Sequence, residues 1–139
     1  MFVFHEQGWL RAGNDILEGT MPTDQDMPKT VLVVEDMPFI RLDAVSIFED
    51  LGFQVLEAAD GREALEILET VDAIGFLFTD IEMPFLGGME LASIVAERWP
   101  HIEIVITSGR LEPRGADLPD DARFLAKPYD SNSVASLVA

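Results

Sequence analysis

The sequence predicts an α/β fold in which one parallel β-sheet carries helices on both faces. From residue 30 onward, short apolar runs alternate with segments whose apolar residues recur at helical spacing, and this alternation is typical of βαβ units. Right-handed crossovers then place the helices on both faces of the sheet. The length of 139 residues, 48% of them hydrophobic, matches a single packed domain.

Residues 1–28 are predicted to be an N-terminal extension that is mostly mobile, because Gly and Pro recur there without a sustained apolar period. Within this extension, Phe2, Phe4, Trp9 and Leu10 are compatible with a short helix. The folded domain is therefore expected to span residues 29–139.

The first two strands and the helix between them follow from local patterns. Thr30–Glu35 is a Val-rich apolar run up to its last residue, which is typical of a strand buried on both faces. Pro38 suits the first turn of a helix, and Gly52 ends the helical pattern. Phe53–Ala58 is predicted to be the second strand.

The middle of the chain repeats this alternation. Asp60 and Glu63 form a capping-box pattern that predicts the start of the second helix. Ala73–Thr79 is predicted to be a third buried strand. Gly88–Trp99 is predicted to be the third helix, which Pro100 closes.

The C-terminal part contains two further strands and an irregular crossover. Ile102–Thr107 and Arg123–Ala126 are predicted to be the fourth and fifth strands, and Ser131–Val138 a short last helix. Two prolines and a glycine recur within residues 113–119. Because an interior Pro costs about 3 kcal/mol and Gly about 1 kcal/mol relative to Ala, the fourth helix is predicted to be missing or reduced to one turn.

Composition narrows the choice of partners. A net charge of −17 repels phosphate backbones and anionic lipids, so neither nucleic acid nor a membrane is expected as a partner. The sequence contains no Cys, which excludes thiol chemistry and is compatible with a cytoplasmic location. No apolar run approaches the roughly 20 residues of a membrane-spanning helix.

Polar side chains follow four of the predicted strands. Glu35 and Asp36 end the first strand, Asp80 follows the third, Thr107 ends the fourth and Lys127 follows the fifth. Ligands of open parallel sheets bind beyond the carboxyl ends of the strands. The five side chains are therefore expected to converge on one site.

Three carboxylates at one site require a compensating charge. Two like charges about 4 Å apart cost about 4 kcal/mol at an effective dielectric constant near 20, so a cation, a shared proton or a lysine is needed. Oxygen ligands without His or Cys suit Mg²⁺. Lys127 adds a positive charge and Thr107 a hydroxyl donor, which together are typical of phosphoryl transfer.

Each of these features alone has an ordinary structural explanation. The Glu35–Asp36 pair is compatible with a helix cap, residues 107–109 with a turn and the Lys127–Pro128 pair with a surface loop. A shared site is favoured because all of them fall at successive strand ends.

Four segments resemble the receiver domain of the response regulators of two-component systems: VVED at 33–36, FTDIEMP at 78–84, ITSG at 106–109 and LAKP at 125–128. The resemblance covers residues 29–139. It implies a flavodoxin-like five-stranded parallel sheet in the order 2-1-3-4-5. It also implies a regulator, either stand-alone and single-domain or a fragment, that a histidine kinase or phosphotransfer protein phosphorylates and that then binds a downstream protein.

The resemblance implies a role for each site residue. Asp80 would accept the phosphoryl group with the help of Lys127 and Thr107, and Thr107 would then move toward that group. Phe124 would be the rotating aromatic residue of this switch. The peptide bond between Lys127 and Pro128 would be cis.

Mg²⁺ is the cofactor that the resemblance implies. Asp36 and Asp80 would bind it together with the main-chain carbonyl of Glu82, and Glu35 would act through water.

Such a protein is not an enzyme in the usual sense, because it catalyses only its own phosphorylation and dephosphorylation. The irregular crossover at residues 110–121 is expected to become ordered when Thr107 engages the phosphoryl group. The alternative is that this crossover is only a shortened connector and that signalling runs through the first helix.

Two residues depart from the simplest form of this interpretation. Glu82 adds an acid two positions after Asp80, and Phe124 is also compatible with an ordinary core position. A phosphatase of the haloacid-dehalogenase type is an alternative, although its motif requires Asp where this chain has Glu82. A degenerate receiver acting only as a binding module is a second alternative, which the intact set of strand-end residues opposes.

Overall fold

The computed structural model describes residues 2–5, 8–11, 29–110 and 118–138. Near the N-terminus, β1 (Phe2–His5) and β2 (Gly8–Arg11) form an antiparallel pair. The short helix expected there is wrong, because aromatic and β-branched residues favour the extended backbone. The predicted mobility of residues 1–28 falls mostly outside the described residues and stays a prediction.

Five parallel strands form the main sheet: β3 (Thr30–Val34), β4 (Gln54–Ala58), β5 (Ile74–Asp80), β6 (Glu103–Ser108) and β7 (Arg123–Ala126). Their order is β4-β3-β5-β6-β7. Counted within this sheet, that is the predicted order 2-1-3-4-5. The expected flavodoxin-like α/β fold is therefore confirmed.

Within the described residues, four helices connect or follow these strands: α1 (Pro38–Asp50), α2 (Gly61–Thr70), α3 (Gly88–Arg98) and α4 (Ser131–Val138). The start of α2 is fixed as predicted, since Asp60 Oδ1 accepts a hydrogen bond from the Glu63 amide at 2.9 Å. Gly52 follows α1 with a positive φ of 91°, a backbone angle that glycine adopts without strain.

The sheet separates two hydrophobic layers, one on each face. The layer beneath α2 and α3 includes Leu32 and Leu91, and the layer beneath α1 and α4 includes Val33 and Phe48. Successive residues of β3 alternate between these layers, and all five are buried. Full burial of one such aliphatic or aromatic side chain contributes roughly 1.5–3 kcal/mol, so the strand ends lie on a rigid support.

The crossover between β6 and β7 contains no helix at residues 109–110 and 118–122, which are its described parts. This agrees with the predicted short or missing fourth helix. Residues 111–117 of the predicted loop lie outside the described residues. Across all the described ranges, none of the helices is both long and apolar enough to span a membrane.

Candidate functional site

The carboxyl ends of four strands bring the predicted residues together. Asp80 is the last residue of β5 and lies opposite Thr107 of β6 in the register of the sheet. Lys127 directly follows β7, and its amide donates to the Ser108 carbonyl at 2.9 Å. The parallel register therefore places the side chains of Asp80, Thr107 and Lys127 on one edge of the sheet.

Three carboxylates form the centre of the site. Glu35, Asp36 and Asp80 each offer an oxygen, and these oxygens lie within 4.8 Å of one another. Glu35 is 4% exposed and Asp80 is 8% exposed, whereas Asp36 is half-buried. A compact set of carboxylate oxygens fits a hard divalent cation such as Mg²⁺.

Lys127 joins two of these acids. Its Nζ lies 2.6 Å from Glu35 Oε1 and 3.3 Å from Asp80 Oδ1. The side chain is 17% exposed, so both ion pairs are largely shielded from water. One lysine thus partly neutralises three carboxylates, and the cluster retains an excess of negative charge.

Burial and charge shift the titration of all three buried groups. Burial raises the pKa of the Glu35 and Asp80 carboxyl groups above their ordinary values, although Lys127 opposes the shift in both. Burial also acts to lower the pKa of Lys127, but its hydrogen bond to Glu35 and the charges of both acids outweigh burial and raise it. Buried carboxylates that resist ionisation are typical of functional sites.

Main-chain contacts fix the loop that carries Glu35. Glu35 Oε2 accepts a hydrogen bond from the Met37 amide at 3.2 Å, and the Glu35 carbonyl accepts one from Arg41 Nη1 at 2.7 Å. Sequence reasoning missed Arg41, because no local pattern connects a helical arginine to a carbonyl six residues earlier. The only sequence signal is that Arg41 is the one basic residue of α1.

The loop after Asp80 lies against the start of α3. The Gly88 amide donates to the Ile81 carbonyl at 2.8 Å. A Cβ at Gly88 would lie 1.9 Å from the carbonyl oxygen of Asp80. Glycine is therefore needed here for the close approach of two backbones, which explains the Gly that follows Asp80 by eight positions.

Glu82 lies outside the carboxylate cluster. Its side chain is exposed and its Oε1 lies 2.9 Å from Arg110 Nε, so the extra acid noted in the sequence is paired with a neighbouring loop. The role of the Glu82 carbonyl as a metal ligand stays a prediction.

Thr107 and Phe124 occupy the positions that the predicted switch requires. The switch itself stays a prediction. Thr107 is buried and lies beside Asp80 in the sheet. Phe124 is half-buried and lies opposite Ile106. Its neighbour Leu125 packs beneath α1 and α4, so strand alternation directs Phe124 to the other face.

A strained turn in the β5–α3 loop was also missed. Phe85 has a φ of 70°, and the Leu86 amide donates to the Pro84 carbonyl at 2.9 Å, which defines a γ-turn. The Phe85 ring is 72% exposed, and the guanidinium of Arg62 lies 3.7 Å from its centroid. The rare backbone angle of an aromatic residue carries no sequence signal.

The Lys127–Pro128 peptide bond is cis, as predicted. The next residue, Tyr129, packs edge-on against Phe78 with ring centroids 5.3 Å apart. Tyr129 and Lys127 line an open cavity of about 560 Å³ together with Phe39 of α1. This cavity gives solvent a route to the lysine side of the carboxylate cluster.

Comparisons with known proteins agree with this arrangement. Residues 31–139 match the family model described as the response regulator receiver domain. The chain is 36% identical over 120 residues to the sensor kinase CckA of Brucella abortus (strain 2308), a match that covers 84% of this chain and 13% of that kinase. It is 34% identical over 105 residues to the response regulator receiver protein CpdR of the same organism, which covers 73% of this chain and 86% of CpdR.

A solved response regulator receiver protein from Sinorhizobium medicae WSM419 shares the fold with a TM-score of 0.74. It is 30% identical, and the match covers 80% of this chain and 91% of that protein. The chain thus spans most of two relatives but only a small part of the sensor kinase.

Proposed function

Because this chain belongs to the response regulator receiver family, we propose that it accepts a phosphoryl group on Asp80 in a Mg²⁺-dependent reaction. The donor is a histidine kinase or a phosphotransfer protein, and phosphorylation switches binding to a downstream protein. The observation that carries the proposal is the contact of Lys127 with both Glu35 and Asp80, beside the half-buried Asp36.

Asp80 is the nucleophile in this proposal. One of its carboxylate oxygens attacks the phosphorus of a phosphohistidine, an oxygen–phosphorus bond forms, the nitrogen–phosphorus bond breaks, and the electron pair returns to the imidazole. Lys127 lies 3.3 Å from Asp80 Oδ1, close enough to pair with the added phosphoryl oxygens. The buried hydroxyl of Thr107 supplies a further donor.

Mg²⁺, when bound, would neutralise the charge that the phosphoryl group and the acids bring together. Asp36 and Asp80 would hold it directly with the main-chain carbonyl of Glu82, and Glu35 would act through water. The oxygens of Glu35, Asp36 and Asp80 lie within 4.8 Å of one another, which supports the carboxylate part of this assignment.

Exposed apolar side chains beside the site support docking of the donor. Phe39 is 87% exposed, and Met37 and Leu42 on the same end of α1 are also exposed. Phe39 borders the cavity that Lys127 lines. An apolar surface next to a reactive carboxylate suits a protein donor better than a small molecule alone.

Acetyl phosphate provides a direct test. Intact-mass spectrometry with Mg²⁺ is expected to show one added phosphoryl group, and Asp80→Asn should abolish it. The same adduct in Asp80→Asn would overturn the assignment. Repeated turnover of a phosphate ester would identify a phosphatase, and absence of labelling in the wild-type protein would identify a binding module.

Metal binding is tested separately by isothermal titration with Mg²⁺. Asp36→Ala is expected to weaken binding more than Glu35→Gln does, because Asp36 is proposed to bind directly and Glu35 through water. Asp50→Ala at the exposed end of α1 removes the same charge away from the site and serves as the control. An unchanged affinity in Asp36→Ala contradicts its role.

The proposal further includes a cytoplasmic location and no catalysis beyond the protein's own phosphorylation and dephosphorylation.

A further inference from the structure

Arg41 connects three parts of the fold through one guanidinium group. It lies in the first turn of α1, where its amide donates to the Met37 carbonyl at 2.9 Å. Its Nη1 donates to the Glu35 carbonyl at 2.7 Å, and its Nε donates to Glu57 Oε1 of β4 at 3.1 Å. The side chain is 22% exposed. Its bond to the Glu35 carbonyl is partly buried, whereas its bond to Glu57 is exposed.

The Glu35 carbonyl belongs to the peptide unit that joins the two neighbouring acids of the site. The Glu35 amide is itself held by the Ala58 carbonyl of β4 at 3.1 Å. Because a peptide unit is planar, fixing the direction of this carbonyl restricts how the Glu35 and Asp36 side chains leave the backbone. Arg41 and Ala58 thus hold the ligand-bearing loop from both sides.

The ion pair with Glu57 does not by itself explain this arrangement. Glu57 is 54% exposed in its side chain, and ion pairs with exposed partners contribute little to stability. The bond to the Glu35 carbonyl is shorter and charge-assisted. We therefore regard Glu57 as the group that orients the guanidinium and the Glu35 carbonyl as its main target.

We propose that Arg41 is a positioning residue for Asp36, the proposed direct metal ligand, and for Glu35, which is proposed to act on the metal through water. It fixes the carbonyl between them and thereby aims both carboxylates at the cation. This inference rests on the proposed function, because it assigns Arg41 to the same Mg²⁺ site. It adds a contribution from α1 that the strand-end motifs do not contain.

Isothermal titration of Arg41→Met with Mg²⁺ tests the inference. Methionine keeps an aliphatic stem but offers no donor, and loss of a group that orients a metal ligand typically weakens metal binding about tenfold or more. Hydrogen exchange in the metal-free protein gives an independent readout. The Met37 amide, which donates to Glu35 Oε2, is expected to exchange faster in the variant.

Glu57→Gln is the matched control, because it removes the ion pair and leaves the bond to the Glu35 carbonyl in place. Its Mg²⁺ affinity is expected to stay nearer to wild type than that of Arg41→Met. If Arg41→Met does not fold, Arg41→Ala, which also offers no side-chain donor, is measured instead with the same expectation. A wild-type Mg²⁺ affinity in either folded Arg41 variant overturns the inference. Failure of the wild-type protein to bind Mg²⁺ overturns the proposed function itself.

Discussion

Asp80 illustrates how a single buried residue lowers the stability of the metal-free fold. The residue is 8% exposed, and burial raises the pKa of its carboxyl group above the ordinary value of 3.8. Because its pKa is higher in the folded state than in the unfolded chain, the contribution of Asp80 to the free energy of unfolding is greatest below pH 3.8. That stability is lost as the pH rises through the folded pKa.

We therefore expect Asp80→Asn to stabilise the metal-free protein at pH 7 by on the order of 1 kcal/mol. The amide removes the buried charge, while Lys127 keeps its shorter contact with Glu35. Urea denaturation at pH 7 and pH 4 measures the effect, and the gain should shrink at the lower pH. Asp50→Asn, an exposed acid of α1, is the control. A variant less stable than wild type at pH 7 would contradict the prediction.

Tyr129 permits a second titration experiment, because it is the one tyrosine of the sequence. Burial, followed by the charges of Glu35, Asp43 and Asp80, raises the pKa of its hydroxyl group. The unfolded chain then releases this proton at a lower pH than the fold does. Its contribution to stability is complete below about pH 10 and is lost above it.

Urea denaturation at pH 8 and pH 11 should reveal this difference. Between pH 8 and pH 11, we expect the free energy of unfolding of the wild-type protein to fall by roughly 1 kcal/mol more than that of Tyr129→Phe. Other groups titrate equally in both proteins and cancel in the comparison. Parallel losses in the two proteins would show that Tyr129 ionises as readily in the fold as in the unfolded chain.

At the scale of elements, the junction of β5 and α3 depends on the absence of a side chain. A Cβ at Gly88 would lie 1.9 Å from the Asp80 carbonyl oxygen, a backbone atom that cannot move without shifting the strand. We expect Gly88→Ala to lower the free energy of unfolding by about 3 kcal/mol. It should also weaken Mg²⁺ binding, because it displaces Asp80.

Gly109→Ala is the control for this prediction, since no atom lies within 4 Å of the Cβ that it would add. Urea denaturation and isothermal titration should show both effects in Gly88→Ala and neither in Gly109→Ala. Equal stability of the two variants would mean that the junction tolerates a methyl group.

Local patterns predicted most of the elements because each had a strong signal. The apolar run of β3, the cap at Asp60 and the proline at the start of α1 all act within a few residues. The site could be predicted for the same reason, since Asp80 and Lys127 each follow an apolar run. Arg41 and Phe85 could not, because a contact across a loop and a rare backbone angle depend on the tertiary structure. The helix expected near Trp9 was wrong because aromatic and β-branched residues favour the extended backbone of the strand pair that forms there.

At the scale of the whole molecule, the sheet is complete without the N-terminal extension. All five of its strands begin at Thr30 or later. We expect a chain that starts at Met27 to keep its free energy of unfolding within about 0.5 kcal/mol of the full chain. Urea denaturation and Mg²⁺ titration of both chains provide the measurement. A loss of several kcal/mol would show that residues 1–26 contribute to the folded domain.

The contact between Lys127 and Glu35 spans 92 positions of the chain, and this separation has a consequence for biosynthesis. A ribosome delivers Glu35, Asp36 and Asp80 well before it delivers the lysine that partly neutralises them. Domains fold as units during synthesis, so a nascent chain that ends before β7 carries Asp80 without the lysine that contacts it. Under the proposed function, the chain becomes competent to receive a phosphoryl group only after β7 and Lys127 have been translated and packed against the earlier strands.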